Sequence, residues 1–589
     1  MRNSVKTMAA VALLAGIVPT ISASTAKFLA AKKTLSGNFE PFVDPVPMLP
    51  HIVVGNQSDI TIHLTQFRTK LHRDFANLAT MWGYNGSSPG PVIDVESGHD
   101  VRVHWQNDLP RKHVFPAPAG MMNSGPMPGD ALVYNGPRTT TPSPSMFQML
   151  FSSVGTELPE VRNITHLHGA LVEEPNPMDR GHNNDGWPDA WNTPGQTQIA
   201  EYPNQQDART LFYHDHAFGQ TGRNVAAGLA GVYLIHDGLE RSLHLPSNQF
   251  EIPLVFQSTT LDGDGNRSYT DRIDVEYYGN STLVNGKLLP YLSVEPRKYR
   301  FRFVNATNAR TFGFSLVDAN DPTQRGPGFY QIASDAGFLE KTVLLNDPAN
   351  VNSPLLFLAS AERADIIVDF SKDAGKSFIL MNSNAITDPD GEIPIRQVML
   401  FKVDKQLSEP DNSVIPGRIR SIRHLQARDA STARQIVLTQ TEHPDGSLLY
   451  QINSRNWLYA KTDAQGKNYW DYEIDHKSMA NSTEIWEIVN AGIIMHPFHL
   501  HLAQFQVLDR RPFDVDTFTK TGNIVYTGSA VAADANEQGW KDVVRANPRT
   551  VTRIVMHFGP ETGYYVYHCH ILEHEDMDMM VPFQVVPHN

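Results

Sequence analysis

The 589-residue chain holds a single cysteine, Cys569. One cysteine excludes an intramolecular disulfide framework, and it excludes a zinc module built on several thiolates. Long apolar runs are missing too: the stretch at residues 8–18 is too short to span a bilayer. Nothing after it is long and apolar enough for a membrane helix, so no membrane partner is expected. A basic excess is also absent. Forty-nine Lys and Arg stand against 63 Asp and Glu, a net charge of −14, which argues against nucleic acid as a partner. Long helical periodicity appears nowhere.

The N-terminus reads "MRNSVKTMAAVALLAGIVPTISASTAK". Arg2 and Lys6, then a short apolar core, then small residues at 22–26 predict a secretory leader over residues 1–26. Residues 27–45 are expected to form a pro-segment or N-terminal arm. Seven N-x-S/T sequons begin at Asn56, Asn85, Asn163, Asn266, Asn280, Asn305 and Asn481, which with the leader suggests a secreted glycoprotein. Asn163, three residues before a histidine motif, is expected to be too buried to carry sugar.

A chain of this length exceeds one core and predicts two to four domains. Residues 84–108, "YNGSSPGPVIDVESGHDVRVHWQND", share a pattern with residues 283–307, "LVNGKLLPYLSVEPRKYRFRFVNAT". A weaker third copy, "YQINSRNW" with "STEIWEIVNA", ends at Asn490. The closing asparagines Asn107, Asn305 and Asn490 are 198 and 185 residues apart, a spacing of domains rather than solenoid units. Within each copy the period is two: Tyr299, Phe301 and Phe303 face one way, Arg300 and Arg302 the other. Three Greek-key β-sandwich domains, an all-β fold, are predicted over residues 46–240, 245–405 and 434–589, with a linker at 406–433. A long loop after Pro110, holding Met121, Met122, Met127, Met146 and Met149, reads as a surface excursion.

Ten of the 24 histidines sit in four short clusters: "HLHG" (His166, His168), "YHDH" (His214, His216), "HPFHLH" (His496, His499, His501) and "HCHILEHEDMDM" (His568, His570, His574). In a strand, H-x-H turns both imidazoles to one face. Four such pairs can bring eight imidazoles to one site, a donor set whose affinity among divalent first-row metals peaks at copper. Cys569, between His568 and His570, must then point to the opposite face and belong to a second metal site. His574, five residues on, and His496 from another strand complete it, with Met579 placed for a weak axial contact. Two His, one thiolate and a distant Met describe a blue-copper electron-transfer centre. A Cys-His hydrolase leaves nine histidines unexplained, and redox-inert zinc leaves the wiring through Cys569 without purpose.

The four clusters, in this order, resemble the multicopper oxidases, over almost the whole chain after the leader. "DGWPDAW", "YPNQQ", "LVNGKLLPYLSVEPRKYRFR", "LDRRPFD", "GWKD" and "HCHILEHEDMDMM" are similar to the spore-coat laccase and fungal bilirubin oxidase branch. The resemblance implies cupredoxin-like domains and four copper ions. His496, Cys569 and His574, with Met579 axial, would hold type 1 copper; His166 and His499 would hold type 2. His168, His214 and His570 would hold one type 3 copper, and His216, His501 and His568 the other. Asp185 and Glu575 match acidic residues that look like proton donors. The implied partners are O2 and a small aromatic reductant (a phenol, aromatic amine or tetrapyrrole), with a monomeric chain. Alternatives on the same scaffold are oxidation of Mn(II), Fe(II) or Cu(I), or a coat or pigment-associated protein that only holds copper. Met495 stands before His496, where bilirubin oxidase has a Trp nearby; the loop after Pro110 is longer than its counterpart, and a disulfide of some relatives is impossible. These departures bear on the donor, not on the oxygen chemistry.

Overall fold

The computed structural model describes residues 39–588 except 56–57, 119–158, 273–274, 383–395, 443–447, 456, 458, 463–467 and 472–473. The leader, the first part of the arm, the sequon at Asn56 and the five loop methionines lie outside the described residues. Strands dominate what remains, and they fall into three successive sandwiches. The first, from His51–Val53 to Ala230–His236, packs a five-stranded sheet on a four-stranded one. The second, from Glu251–Leu261 to Gln397–Lys402, packs an eight-stranded sheet on a five-stranded one. The third, from Thr432–Glu442 to Met580–Val586, packs six strands on five and adds a two-stranded ribbon. Among the described residues no helix is long and apolar enough to cross a membrane.

The repeat in the sequence is a repeat in register. In each sandwich an early strand pairs in parallel with the strand that ends at the repeated asparagine: Leu64 of Asp59–Thr69 opposite Asn107, Phe256 of Glu251–Leu261 opposite Asn305, Leu438 of Thr432–Glu442 opposite Asn490. Parallel neighbours need a crossover connection, so each unit contains the same non-local pairing. All three asparagines are fully buried, and a buried amide must be hydrogen-bonded. Each is bonded in the same way. Its Oδ1 accepts the N–H two residues on, from Leu109, Thr307 and Gly492 respectively. The Nδ2 of each donates to two further groups; for Asn305 and Asn490 both are backbone carbonyls. A short polar side chain ties the strand end to a distant loop, which is why the position repeats.

Each sandwich has its own apolar core, rich in tryptophan and tyrosine in the first and in phenylalanine in the second. A further cluster joins Phe212 and Val232 of the first sandwich, Val255 and Val304 of the second, and Val543 of the third. Where they meet, the polar face of Lys298–Asn305 is buried rather than solvated. Arg302 donates to Glu251, Glu240 and Thr210, and Arg300 pairs with Asp365 and Glu240. Burial alone would raise the Glu240 carboxyl, but Arg302, His236 and Arg300 hold it well below the usual carboxylate range. Residues 403–426 carry no regular element, yet Ile419, Ile422 and Leu425 are buried.

Candidate metal centre

The eight imidazoles come from two sandwiches. In the first, Thr165–His168 pairs antiparallel with Arg209–Asp215, setting His166 opposite His214. In the third, His496–Leu500 pairs with Gly563–Cys569, setting His499 opposite His568 and Phe498 opposite Cys569. Period-two alternation therefore turns His499 and His568 to one face, Cys569 to the other. His216, His501 and His570 lie just beyond strand ends, held by backbone bonds to Ile164, Val566 and Pro497. The rings close on one another across the domain boundary: His168 stacks on His499 at 3.6 Å and His166 on His501 at 4.0 Å. All eight are buried.

Burial pushes His166, His168, His216, His499, His501 and His570 far below the usual imidazole range, and His214 down to about 3. Neutral rings carry one N–H and one lone pair, and the outer contacts decide which nitrogen keeps the proton. Nδ1–H donates to the Asp185 carbonyl from His166, to the Asp215 carbonyl from His214 at 2.8 Å, and to the Asp542 carbonyl from His499 at 2.8 Å. His501 Nδ1 donates to Asp185 Oδ2 at 2.9 Å, and His570 Nδ1 lies 3.2 Å from Ser360 Oγ. Lone pairs are thus left at Nε2. Those of His166, His214, His499 and His570 are buried without a hydrogen-bond partner. His568 Nε2 faces His501 Nε2 at 3.2 Å and His216 Nε2 at 3.3 Å. His168 is reversed: its Nε2 meets Asp542 Oδ1 at 3.2 Å, leaving Nδ1 partnerless. Orphaned lone pairs in a buried pocket are costly in themselves and fit bound cations. Donor atoms of His216, His501 and His568 lie within 4.8 Å of one another, as do those of His166, His168 and His214, and of His166, His499 and His501.

Behind this pocket sits the thiol. Cys569 Sγ is 3.3 Å from His496 Nδ1 and 3.7 Å from His574 Nδ1. A short turn of helix, Leu572–Glu575, folds His574 back toward the cysteine. Met579 N–H donates to the His574 carbonyl, and Cys569 N–H donates to the Met579 carbonyl at 3.1 Å, closing the loop. Met579 and Cys569 are fully buried in one apolar cluster. Burial pushes the Cys569 thiol up, so it becomes a thiolate only when a cation displaces its proton.

Both acids singled out in the sequence touch the imidazole pocket. Asp185 bonds His501 and His166 as described. Glu575 Oε2 is 3.0 Å from His568 Nδ1 and Oε1 is 3.5 Å from His216 Nε2. Burial, then the neighbouring Glu174, raises the Asp185 carboxyl; burial raises Glu174 itself to about 7. Gly186 lets the Asp185 loop lie on His166: at its φ of +80° a Cβ would stand 2.8 Å from the His166 backbone.

The middle sandwich holds none of the clustered histidines but supplies some of their outer contacts. Arg363 grips Asp542 with two bonds of 2.6 Å, and Asp542 in turn holds His168 and His499. Ser360 meets His570, and Glu276 meets His574 Nε2 at 3.0 Å. None of these was identified from sequence. Asp542 stood in "GWKD" without a role, and Glu276 carries no local signal. Gly169, next to His168, admits the clamp: at its φ of +87° a Cβ would meet Asp542 Oδ2 at 2.5 Å.

Sequence profiles described as multicopper oxidase match residues 441–589 and residues 68–129 and 157–240. A laccase of Bacillus subtilis (strain 168) is 36% identical over 574 residues, covering 93% of this chain and 99% of its own. Bilirubin oxidase of Albifimbria verrucaria is 30% identical, covering 97% of this chain and 86% of its own. Among solved structures, the McoA multicopper oxidase of Aquifex aeolicus superposes with a TM-score of 0.68 at 23% identity, covering 94% of this chain and 100% of its own.

Proposed function

Since the chain belongs to the multicopper oxidase family, we propose that this laccase-like copper oxidoreductase takes single electrons from phenols, aromatic amines or tetrapyrroles and passes them to O2. One observation carries the reading. Cys569 Sγ faces His496 and His574 while its two covalent neighbours, His568 and His570, turn into the eight-imidazole pocket. A donor-side centre and an oxygen-side centre are thereby joined through one dipeptide on either side of a thiolate.

In this reading His496, Cys569 and His574, together with Met579, would hold type 1 copper. His166 and His499 hold type 2; His168, His214 and His570, and His216, His501 and His568, hold the type 3 pair. Bound there, four copper ions would supply storage for four electrons, the number that with four protons takes one O2 to two waters. The chain's own residues do the rest. Outer hydrogen bonds fix the tautomers of His166, His168, His214, His499 and His501, so these rings need not rotate or exchange a proton during turnover. Asp185, at His501, and Glu575, between His568 and His216, stand where protons are consumed. The apolar shell of Cys569 excludes water from the thiolate side.

Secretion is part of the proposal, resting on the leader-like residues 1–26. Among the sequons, Asn85, Asn266 and Asn481 are exposed, whereas Asn163 and Asn305 are buried. The test is oxygen uptake by copper-loaded protein against a methoxyphenol, an aromatic amine, bilirubin, Mn(II), Fe(II) and Cu(I). Fast uptake with the organic donors and no peroxide is expected. Uptake with the metal ions alone would move the function to a metallo-oxidase, and none with any donor would leave a copper-holding protein.

A further inference from the structure

His574 presents Nδ1 to Cys569, so its Nε2 carries the proton and points outward. In the structure that N–H does not reach solvent. It meets Glu276 Oε1 at 3.0 Å, and the same oxygen accepts the Tyr450 hydroxyl at 3.0 Å. The Tyr450 ring lies flat on the His574 ring, with centroids 3.6 Å apart and planes at 20°. Two donors converging on one oxygen favour the ionised form of Glu276; its side chain is 7% exposed and Tyr450 is fully buried. Glu276 belongs to the segment after Arg267–Ser268 in the middle sandwich, 298 residues from His574.

We propose that Glu276 sets the reduction potential of the type 1 centre through His574, and that Tyr450 trims its effect. The inference rests on the reading of His574 as a type 1 ligand. A carboxylate on the far nitrogen makes the imidazole a stronger donor and adds a negative charge in a low-dielectric site. Both favour the oxidised, more positive copper over the reduced one, so Glu276 lowers the potential. The Tyr450 hydroxyl draws charge from the shared oxygen and weakens that bias. In the redox step the donor loses one electron and the copper gains it; the proton stays on His574 Nε2 and no bond to Glu276 forms or breaks. Glu276 is thus a positioning residue acting through another side chain, contributed by the domain that holds no ligand.

Two substitutions with opposite expected signs separate this role from mere domain contact. Glu276→Gln keeps an oxygen for the His574 N–H and removes the charge. Tyr450→Phe keeps the stacked ring and removes the hydroxyl. Copper-loaded wild type and both variants are titrated against a one-electron mediator, following the blue absorption band. Glu276→Gln is expected to shift the exchange equilibrium about tenfold toward reduced copper, a rise of about 59 mV for a one-electron couple. Tyr450→Phe is expected to move it the other way by a smaller amount. Both variants at the wild-type potential, or both displaced in the same direction, overturn the proposal. Should Glu276→Gln not fold, Tyr450→Phe decides alone: a potential that is unchanged or raised overturns it. Absence of a blue band in the wild type would instead sink the type 1 assignment on which the inference stands.

Discussion

Asp542→Asn tests the outer shell where it is most connected. The aspartate is nearly fully buried and accepts two guanidinium bonds of 2.6 Å from Arg363, itself fully buried. The amide keeps one oxygen but sets an NH2 against a guanidinium or against His168 Nε2–H, donor facing donor. Arg363 then retains carbonyl contacts to Thr210, Ala361 and Asp335, and its nearest other carboxylate, Asp335, is 3.9 Å away. Breaking a buried pair on one side costs about 3–5 kcal/mol, and the residual Asp335 attraction argues for the lower end, about 3 kcal/mol. The functional effect follows from His168. With a neutral amide in place of the carboxylate, the Nε2 contact that holds the tautomer offering Nδ1 to the pocket is weakened, and loss of such partners typically weakens metal binding about 10–100-fold. Equilibrium dialysis against a copper chelator, with total copper compared to the blue band, separates the two centres. Cluster copper should be lost first while the Cys569 centre keeps its colour, and the first unfolding transition should fall to lower denaturant. Wild-type retention of cluster copper together with a wild-type transition would refute the reasoning.

Further expectations concern the wiring, the protons and the domain junction. Cys569→Ser should abolish the blue colour and leave the imidazole pocket partly loaded; full oxidase activity in that variant would contradict the electron route. Asp185→Asn and Glu575→Gln should each slow oxygen reduction by about 10²–10⁴ while anaerobic reduction of the type 1 centre by donor stays at the wild-type rate. A fall in the anaerobic rate would place the two acids elsewhere in the cycle. His236, though opposed by burial, is raised from 6.5 to about 9 by its bonds to Asp94 and Glu240. A folded-state pKa above the unfolded value means stability that is complete below about pH 6.5 and lost as pH rises through about 9, worth about 2–3 kcal/mol for this quarter-exposed ring. Denaturant midpoints across that window should fall for the wild type and flatten for His236→Gln; equal slopes in both would remove His236 from the account.

Much of this protein is written locally. The period of two inside "HLH", "YHDH", "HLH" and "HCH" turns the two imidazoles of each pair the same way without any knowledge of the fold, because successive side chains in a strand must alternate, although His216, His501 and His570 fall one residue past their strands. The same rule separates Cys569 from its neighbours, and in the structure its sulfur lies beside His496 and His574. The repeated asparagines mark three equivalent units for a similarly local reason, since each bonds the N–H two residues on. Asp185 and Glu575, singled out by their motifs, both reach the pocket.

What the sequence could not express is how the three sandwiches dock. Arg300 and Arg302 alternate with aromatic residues as a solvated face would, yet they are buried because another domain covers them. Arg363 reaches Asp542 across 179 residues, Asp185 reaches His501 across 316, and Glu276 reaches His574 across 298. No periodicity links such pairs, because period is a property of one strand and docking is a property of two surfaces. The identity of the metal-binding side chains is therefore local information. The hydrogen bonds that orient them, and the burial around them, come from surfaces that only the tertiary structure brings together.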